Sequence, residues 1–242
     1  MNQGLREAVL SSQRRSEEHD KIERKWRATT ALFTHEVANS LNSVFACLQL
    51  LDIKAQEQGL PDPEVKSLLD SAQGEIKRLS ALLKDFRSFS QPRNYDFEPT
   101  NVRKLIDEAI AEDKLLYDSA GVRLKLDFPD ALLPVSLDQE KIKQAILRIC
   151  KNAVEAMPSG GVLTFRGYEC EGKVIIEIGD TGGGIPEGLE VFEPFHTTKP
   201  RGSGLGLPIV SQIISAHNGS IDYVSDPDKG TTFKISLPGD QA

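Results

Sequence analysis

The chain has 242 residues, enough for two domains with at least one sizeable core. Its 39% hydrophobic and 27% charged residues describe a folded protein, and its formal charge of −7 excludes a general nucleic-acid binder, which needs a broad basic face. No apolar run reaches membrane-spanning length and MNQGLREAVLSSQRR lacks the apolar stretch of a secretory leader, so no direct membrane segment is expected in this chain. Cys47, Cys150 and Cys170 are far apart, without metal-binding spacing. Cys47 and Cys150 fall in apolar helical patterns, so both are expected as buried free thiols in a reducing compartment, most simply the cytoplasm.

Residues 1–58 hold almost no glycine or proline after Gly4 and read as one very long helix. From Val37 the apolar positions run Val37, Leu41, Val44, Leu48 and Leu51, a heptad seam. Upstream the line runs Ile22, Trp26, Thr29 or Thr30, Phe33, Val37 and Leu41. Two successive four-residue steps shift the heptad phase and bracket His35, which marks that turn as a candidate switching element under an upstream sensor. EQGLPDP is the turn, with Gly59 after the first helix and Pro63 opening the second. The second helix carries Val65, Leu69, Ala72, Ile76, Leu79, Leu83 and Phe86, again in heptad spacing. Two such helices form an all-α hairpin with an apolar face that one chain cannot cover, so a homodimer with a four-helix bundle is expected.

After Pro92 the pattern changes. A short strand near FEPT precedes a helix from about Asn101 to Ser119, and VRLKLDF alternates as a strand. Asp138 reads as the N-cap of QEKIKQAILRICKNAVEAM, a helix closed by Pro158 and two glycines. VLTFRGYE and KVIIEIGD read as neighbouring strands around a tight Glu171-Gly172 turn. A second glycine-led helix follows, and SIDYVSD with TTFKISLP closes the chain as a hairpin around Asp228–Gly230. The mixture predicts an α/β two-layer sandwich over 94–242, behind the helical hairpin of 1–93.

Chemistry concentrates in DTGGGIP at Asp180–Pro186 and GSGLGLPI at Gly202–Ile209. Glycines let backbone amides approach phosphate, and a helix N-terminus adds a favourable dipole. Neither a Walker A loop nor a dinucleotide fingerprint is present. With ILRICKNAVEAM at Ile146–Met157, these stretches resemble the ATP-binding region of the GHKL ATPases, the superfamily of gyrase, Hsp90, MutL and the sensor histidine kinases. His35-Glu36, on a dimerisation-type hairpin directly upstream, makes the order resemble that of two-component histidine kinases, over essentially residues 30–238.

The resemblance implies an ATP-dependent protein-histidine kinase using ATP and Mg²⁺. His35 is then the phosphoacceptor: a neutral imidazole is a good nucleophile, and its ordinary pKa of about 6.5 leaves most of it unprotonated at neutral pH. Glu36 accepts or orients the proton of the other ring nitrogen. Asn39, one helical turn on, helps position water for dephosphorylating a partner response-regulator receiver domain. The usual motif has a basic residue and a proline where this chain has Ala38 and Ser40, which removes a helix kink but not the nucleophile. Asn152 takes the place of the Mg²⁺-ligating asparagine, and an amide oxygen suits a hard cation that keeps most of its waters. Arg148 stands where a second asparagine is common. Asp180 takes the place of the aspartate that accepts the adenine amino group, with Gly182 and Gly184 letting the backbone pass close to the base. VFEPFHTTKPR, residues 191–201, resembles the lid of nitrogen-regulation-type kinases. There Phe192 and Phe195 are expected to anchor the lid, Thr197, Thr198 and Lys199 to contact phosphate or position the lid, with Lys199 as a point-charge binder, and His196 to face solvent. Gly202, Gly204, Leu205 and Gly206 form the second glycine box, with Ser203 replacing threonine, and Gly230-Thr231-Thr232 resembles the last turn of the fold. Two rival readings stand beside this one: a degenerate phosphotransfer or scaffold protein, and another GHKL ATPase.

Overall fold

The computed structural model describes residues 37–39, 41–55, 63–90, 94–129, 132–199, 202–227 and 229–239. His35, Glu36, Gly59 and the heptad phase shift upstream of Val37 lie outside these residues. The chain divides into two compact units, Met1–Arg93 and Asn94–Ala242.

In the first unit, residues 41–55 form helix α1 and Pro63–Ser90 form α2. Pro63 opens α2, where its missing N–H costs no hydrogen bond. Within the unit the two helices meet where the Lys77 ammonium lies 5.4 Å from the centre of the Phe45 ring. Parts of both seams stay uncovered: Val44 is 51% and Leu51 56% exposed on α1, as are Val65 and Leu79 on α2. Cys47 is exposed rather than buried, because it lies off the half-buried line through Leu41, Phe45 and Leu48.

The second unit is a five-stranded sheet with helices on one face. Its elements are β1 (Glu98–Thr100), α3 (Val102–Glu112), α4 (Lys114–Ser119), β2 (Val122–Asp127), β3 (Val135–Leu137), α5 (Gln139–Ala156), β4 (Gly161–Cys170), β5 (Lys173–Asp180), α6 (Gly206–Ala216), β6 (Ser220–Asp226) and β7 (Gly230–Pro238). The strand order is β2-β4-β5-β7-β6, with β2 parallel to β4 and every other pair antiparallel. Strand alternation places Leu163, Phe165, Val174, Ile176, Ile178, Ile235 and Leu237 on the buried face, against α5 and α6. Each such side chain contributes about 1.5–3 kcal/mol on leaving water. The opposite face carries a polar network instead: Arg166 pairs with Asp127 at 3.1 Å, and the Tyr168 hydroxyl donates to Glu177 at 2.8 Å. This is a two-layer sandwich.

Three local features depart from the sequence reading. The helix expected from Asn101 to Ser119 breaks at Asp113 (φ −104, ψ 18), whose carbonyl accepts from both Leu116 and Tyr117. The break buries Tyr117 while leaving Leu115 85% exposed. Tyr117 approaches Cys150, and burial pushes that thiol up to about 12, so Cys150 is a structural thiol. Further, β1 finds an antiparallel partner in β3, a three-residue strand too short to show a period. This small sheet leads into Asp138, the α5 N-cap, whose carboxylate accepts from Lys141 N at 3.0 Å and from Asp96 N at 3.1 Å. Its own N–H donates to Nε2 of the buried His217, which sits at the end of α6. Finally, Phe195 is 63% exposed, so its ring does not anchor the lid.

Candidate functional site

Five segments converge where α5 ends and α6 begins. Asn152 sits on the last two turns of α5, half-buried. Its amide nitrogen lies 4.0 Å from where a Cβ on Gly206 would be, so the side chain faces the first residue of α6. That helix has no side-chain cap at its N-terminus, leaving amide groups and the positive dipole end for an anion.

Asp180 ends β5, in register with Leu163 and so on the helix-covered face. Its Oδ1 accepts from Gly182 N at 2.8 Å and from Thr231 N at 3.3 Å. Burial raises its pKa above the ordinary carboxylate value; the two amide donors and the nearby Lys199 charge pull the other way without cancelling it. The first glycine loop presses on the end of α5. A Cβ on Gly182 would lie 2.6 Å from the Ala156 carbonyl oxygen, so only glycine allows this approach, and Gly183 N donates to that same oxygen at 3.3 Å. Gly184 follows against the backbone of Asp226, and Ile185 N donates to Ser225 Oγ at 2.7 Å. Ser225 Oγ in turn bonds Thr231 Oγ1 at 2.9 Å. Thr231 therefore orients Asp180 from 51 residues away and tethers the loop as well. The sequence marked Gly230-Thr231-Thr232 only as a turn.

The lid folds back through its backbone. Phe195, at φ +68, donates its N–H to Gly204 O at 3.0 Å, and this turns its ring outward. Gly204, at φ +64, would place a Cβ 2.6 Å from the Phe195 backbone; a side chain is excluded by both strain and contact. Phe192 does anchor the lid, edge-on to Tyr223 at 6.0 Å between ring centres. Lys199 is half-buried, donating to Asn152 Oδ1 at 3.0 Å and pairing with Glu155. Thr198 and His196 are exposed. Gly202 N donates to Lys199 O at 3.0 Å, and Leu205 N to Ser203 Oγ at 3.2 Å. The Leu205 side chain is buried in the core and its carbonyl accepts from Ile209 N at 3.0 Å, so this residue anchors the start of α6. Asn39 is exposed on the helical residues 37–39 of the first unit. Asn152, Asp180, Lys199 and both glycine loops are thus brought together; Glu155 and Thr231 are the members that sequence reasoning missed.

Residues 137–241 match the family described as histidine kinase-, DNA gyrase B-, and HSP90-like ATPase. The signal transduction histidine-protein kinase AtoS of Escherichia coli is 33% identical over 211 residues, covering 84% of this chain and 33% of the relative. Sporulation kinase A of Bacillus subtilis is 34% identical over 207 residues, with the same 84% and 33% coverage. The chain thus spans about a third of the length of these two relatives. The structure of histidine kinase ThkA in complex with the response regulator TrrA is similar in fold, with TM-score 0.67 and 24% identity over 93% of this chain and 66% of that one. The matched motifs, their order along the chain and the folded α/β sandwich agree: the chain belongs to the sensor histidine kinases, with a histidine kinase-, gyrase B- and HSP90-like ATPase domain.

Proposed function

We propose that this chain is an ATP-dependent protein-histidine kinase, with residues 1–93 as dimerisation and phosphoacceptor hairpin and 94–242 as catalytic ATP-binding domain. The observation that carries the reading is the convergence of Asn152, Asp180 and the uncapped start of α6 on one side of the sandwich. An adenine amino group would donate to the Asp180 carboxylate, which the Gly182 and Thr231 amides already hold in place through Oδ1. Phosphates would meet the Gly204 and Gly206 amides at the start of α6, the Gly202 and Leu205 amides being held by Lys199 O and Ser203 Oγ to shape that loop, with Thr198 and Lys199 closing from the lid. The residues also fit a divalent cation, because Asn152 Oδ1 already receives the positive charge of Lys199. Mg²⁺ bound there through Asn152 would neutralise charge building on the transferred group.

A ring nitrogen of His35 attacks the γ-phosphorus; the new P–N bond forms as the bond to the β–γ bridging oxygen breaks, and ADP leaves. Glu36 takes or orients the proton on the other ring nitrogen. The phosphoryl group then passes to an aspartate of a response-regulator receiver domain, the partner class bound by ThkA in its complex. Asn39 would place the water for the reverse, phosphatase-type hydrolysis of that regulator. The exposed Val44, Leu51, Val65 and Leu79 suit the homodimer, and an upstream sensor would act through the N-terminal helix. Among the described residues no helix is long and apolar enough to cross a membrane.

The test is incubation of the full chain with γ-labelled ATP, comparing wild type with His35→Gln. Acid-labile, base-stable label on wild type alone is expected, with nucleotide binding equal in both. Label on the variant near the wild-type level rejects His35 as acceptor. A chain that binds ATP but takes no label points instead to the scaffold reading.

A further inference from the structure

Asn152 and Glu155 stand three residues apart on α5, so their side chains leave neighbouring points of one helix face. A lid residue fills the space they enclose. The Lys199 ammonium donates to Asn152 Oδ1 at 3.0 Å and is ion-paired with Glu155, across 47 and 44 residues of sequence. Its backbone is held at both ends: Lys199 N donates to Thr197 Oγ1 at 3.1 Å, and Lys199 O accepts from Gly202 N at 3.0 Å. One neutral and one anionic oxygen thus already grip a cation beside the start of α6.

We propose that Asn152 and Glu155 form a single cation seat with two alternative occupants, the Lys199 ammonium before nucleotide binds and the divalent cation that arrives with it. This rests on the nucleotide-binding reading above and adds Glu155 to the site. An amide oxygen beside a carboxylate suits a hard cation that keeps several waters, with Glu155 accepting hydrogen bonds from that water shell. Two cations at contact distance in a partly buried site repel strongly, so the divalent ion enters only as the ammonium leaves. The freed lysine remains tethered through Thr197 and Gly202 beside the α6 N-terminus, where it meets phosphate oxygens as a point charge. In metal-free conditions Lys199 stays in the seat and itself neutralises part of the phosphate charge. Glu155 is therefore a positioning residue, for the lid in one state and for the cation in the other.

The test is the ratio of the nucleotide Kd in EDTA to that in Mg²⁺, measured on the full chain with a non-hydrolysable ATP analogue by calorimetry. Circular dichroism confirms folding of each variant. Lys199→Met is expected to raise the ratio several-fold, because metal-free binding loses its substitute cation, whereas in Mg²⁺ the lost lysine–phosphate contact is offset by the lost competition for the seat. Adding Glu155→Gln to Lys199→Met is expected to bring the ratio down by about tenfold, the usual scale for removing an outer partner of a metal site. Lys199→Arg, which keeps the charge, should stay near wild type. Equal ratios in wild type and Lys199→Met, or no fall on adding Glu155→Gln, overturn the shared seat while leaving nucleotide binding in place. A wild-type chain that binds nucleotide in neither buffer sinks the nucleotide reading, and the seat with it.

Discussion

Asp180→Asn isolates the adenine contact, because asparagine is isosteric and keeps an Oδ1 acceptor for Gly182 N and Thr231 N at 2.8 and 3.3 Å. The glycine loop and the β5–β7 edge therefore stay in place. What changes is the second oxygen, replaced by an NH₂ donor that now faces the adenine amino donor. Losing a hydrogen bond to a charged group costs about 1.5–3 kcal/mol, which is roughly 10- to 100-fold in Kd. Stability moves the other way. Burial raises the Asp180 pKa, so the ionised carboxylate is a net cost to the free protein at neutral pH. The sign follows from linkage: for a raised pKa, the group's favourable contribution is complete below its unfolded value and is lost as pH rises through the folded value. Asp180→Asn should therefore leave Tm equal or higher at neutral pH, with that difference closing as the medium is acidified below the ordinary aspartate range. The assay is calorimetric titration with ATP and GTP, paired with thermal unfolding from acid to neutral pH. Weaker ATP binding, a narrower gap between ATP and GTP and an undiminished Tm are expected. ATP affinity within about threefold of wild type would refute the adenine contact, since that is under 1 kcal/mol.

Asn39→Ala should spare autophosphorylation and slow dephosphorylation of the regulator; unchanged decay of the phospho-regulator rejects the water-positioning role. Gly204→Ala forces a Cβ into positive φ and against the Phe195 backbone, which costs roughly 1–2 kcal/mol. Lid closure and nucleotide affinity should weaken, as a fluorescent nucleotide titration would read. Asp138→Ala removes both the α5 cap and the Asp96 bond, for about 2 kcal/mol in all, and should lower the Tm of the second unit by several degrees. An unchanged Tm would show that neither bond carries stability.

The local part of this protein was legible in its sequence because local rules write it there. Heptad spacing marked α2, period-two alternation marked β2, and a short polar side chain before an apolar-periodic run marked Asp138 as a cap. The glycine boxes were equally legible, since close approach and positive φ admit few other residues; Gly182 and Gly204 meet those two demands. Tertiary structure decided what no local pattern holds. The β1–β3 pairing joins two three-residue strands whose partners lie 35 or more residues apart, too short to carry a period. Cys47 and Phe195 looked apolar and buried by type, yet neighbouring side chains take the half-buried line in the first case and backbone bonding turns the ring outward in the second. The same holds for the site. Asp180 and Asn152 were found by their motifs, but the Thr231 amide that orients one and the Lys199–Glu155 pair that fills the space beside the other depend on contacts across 51 and 44 residues. Such contacts follow from which strand edges meet and how the lid folds back, and a residue's sequence neighbours record neither.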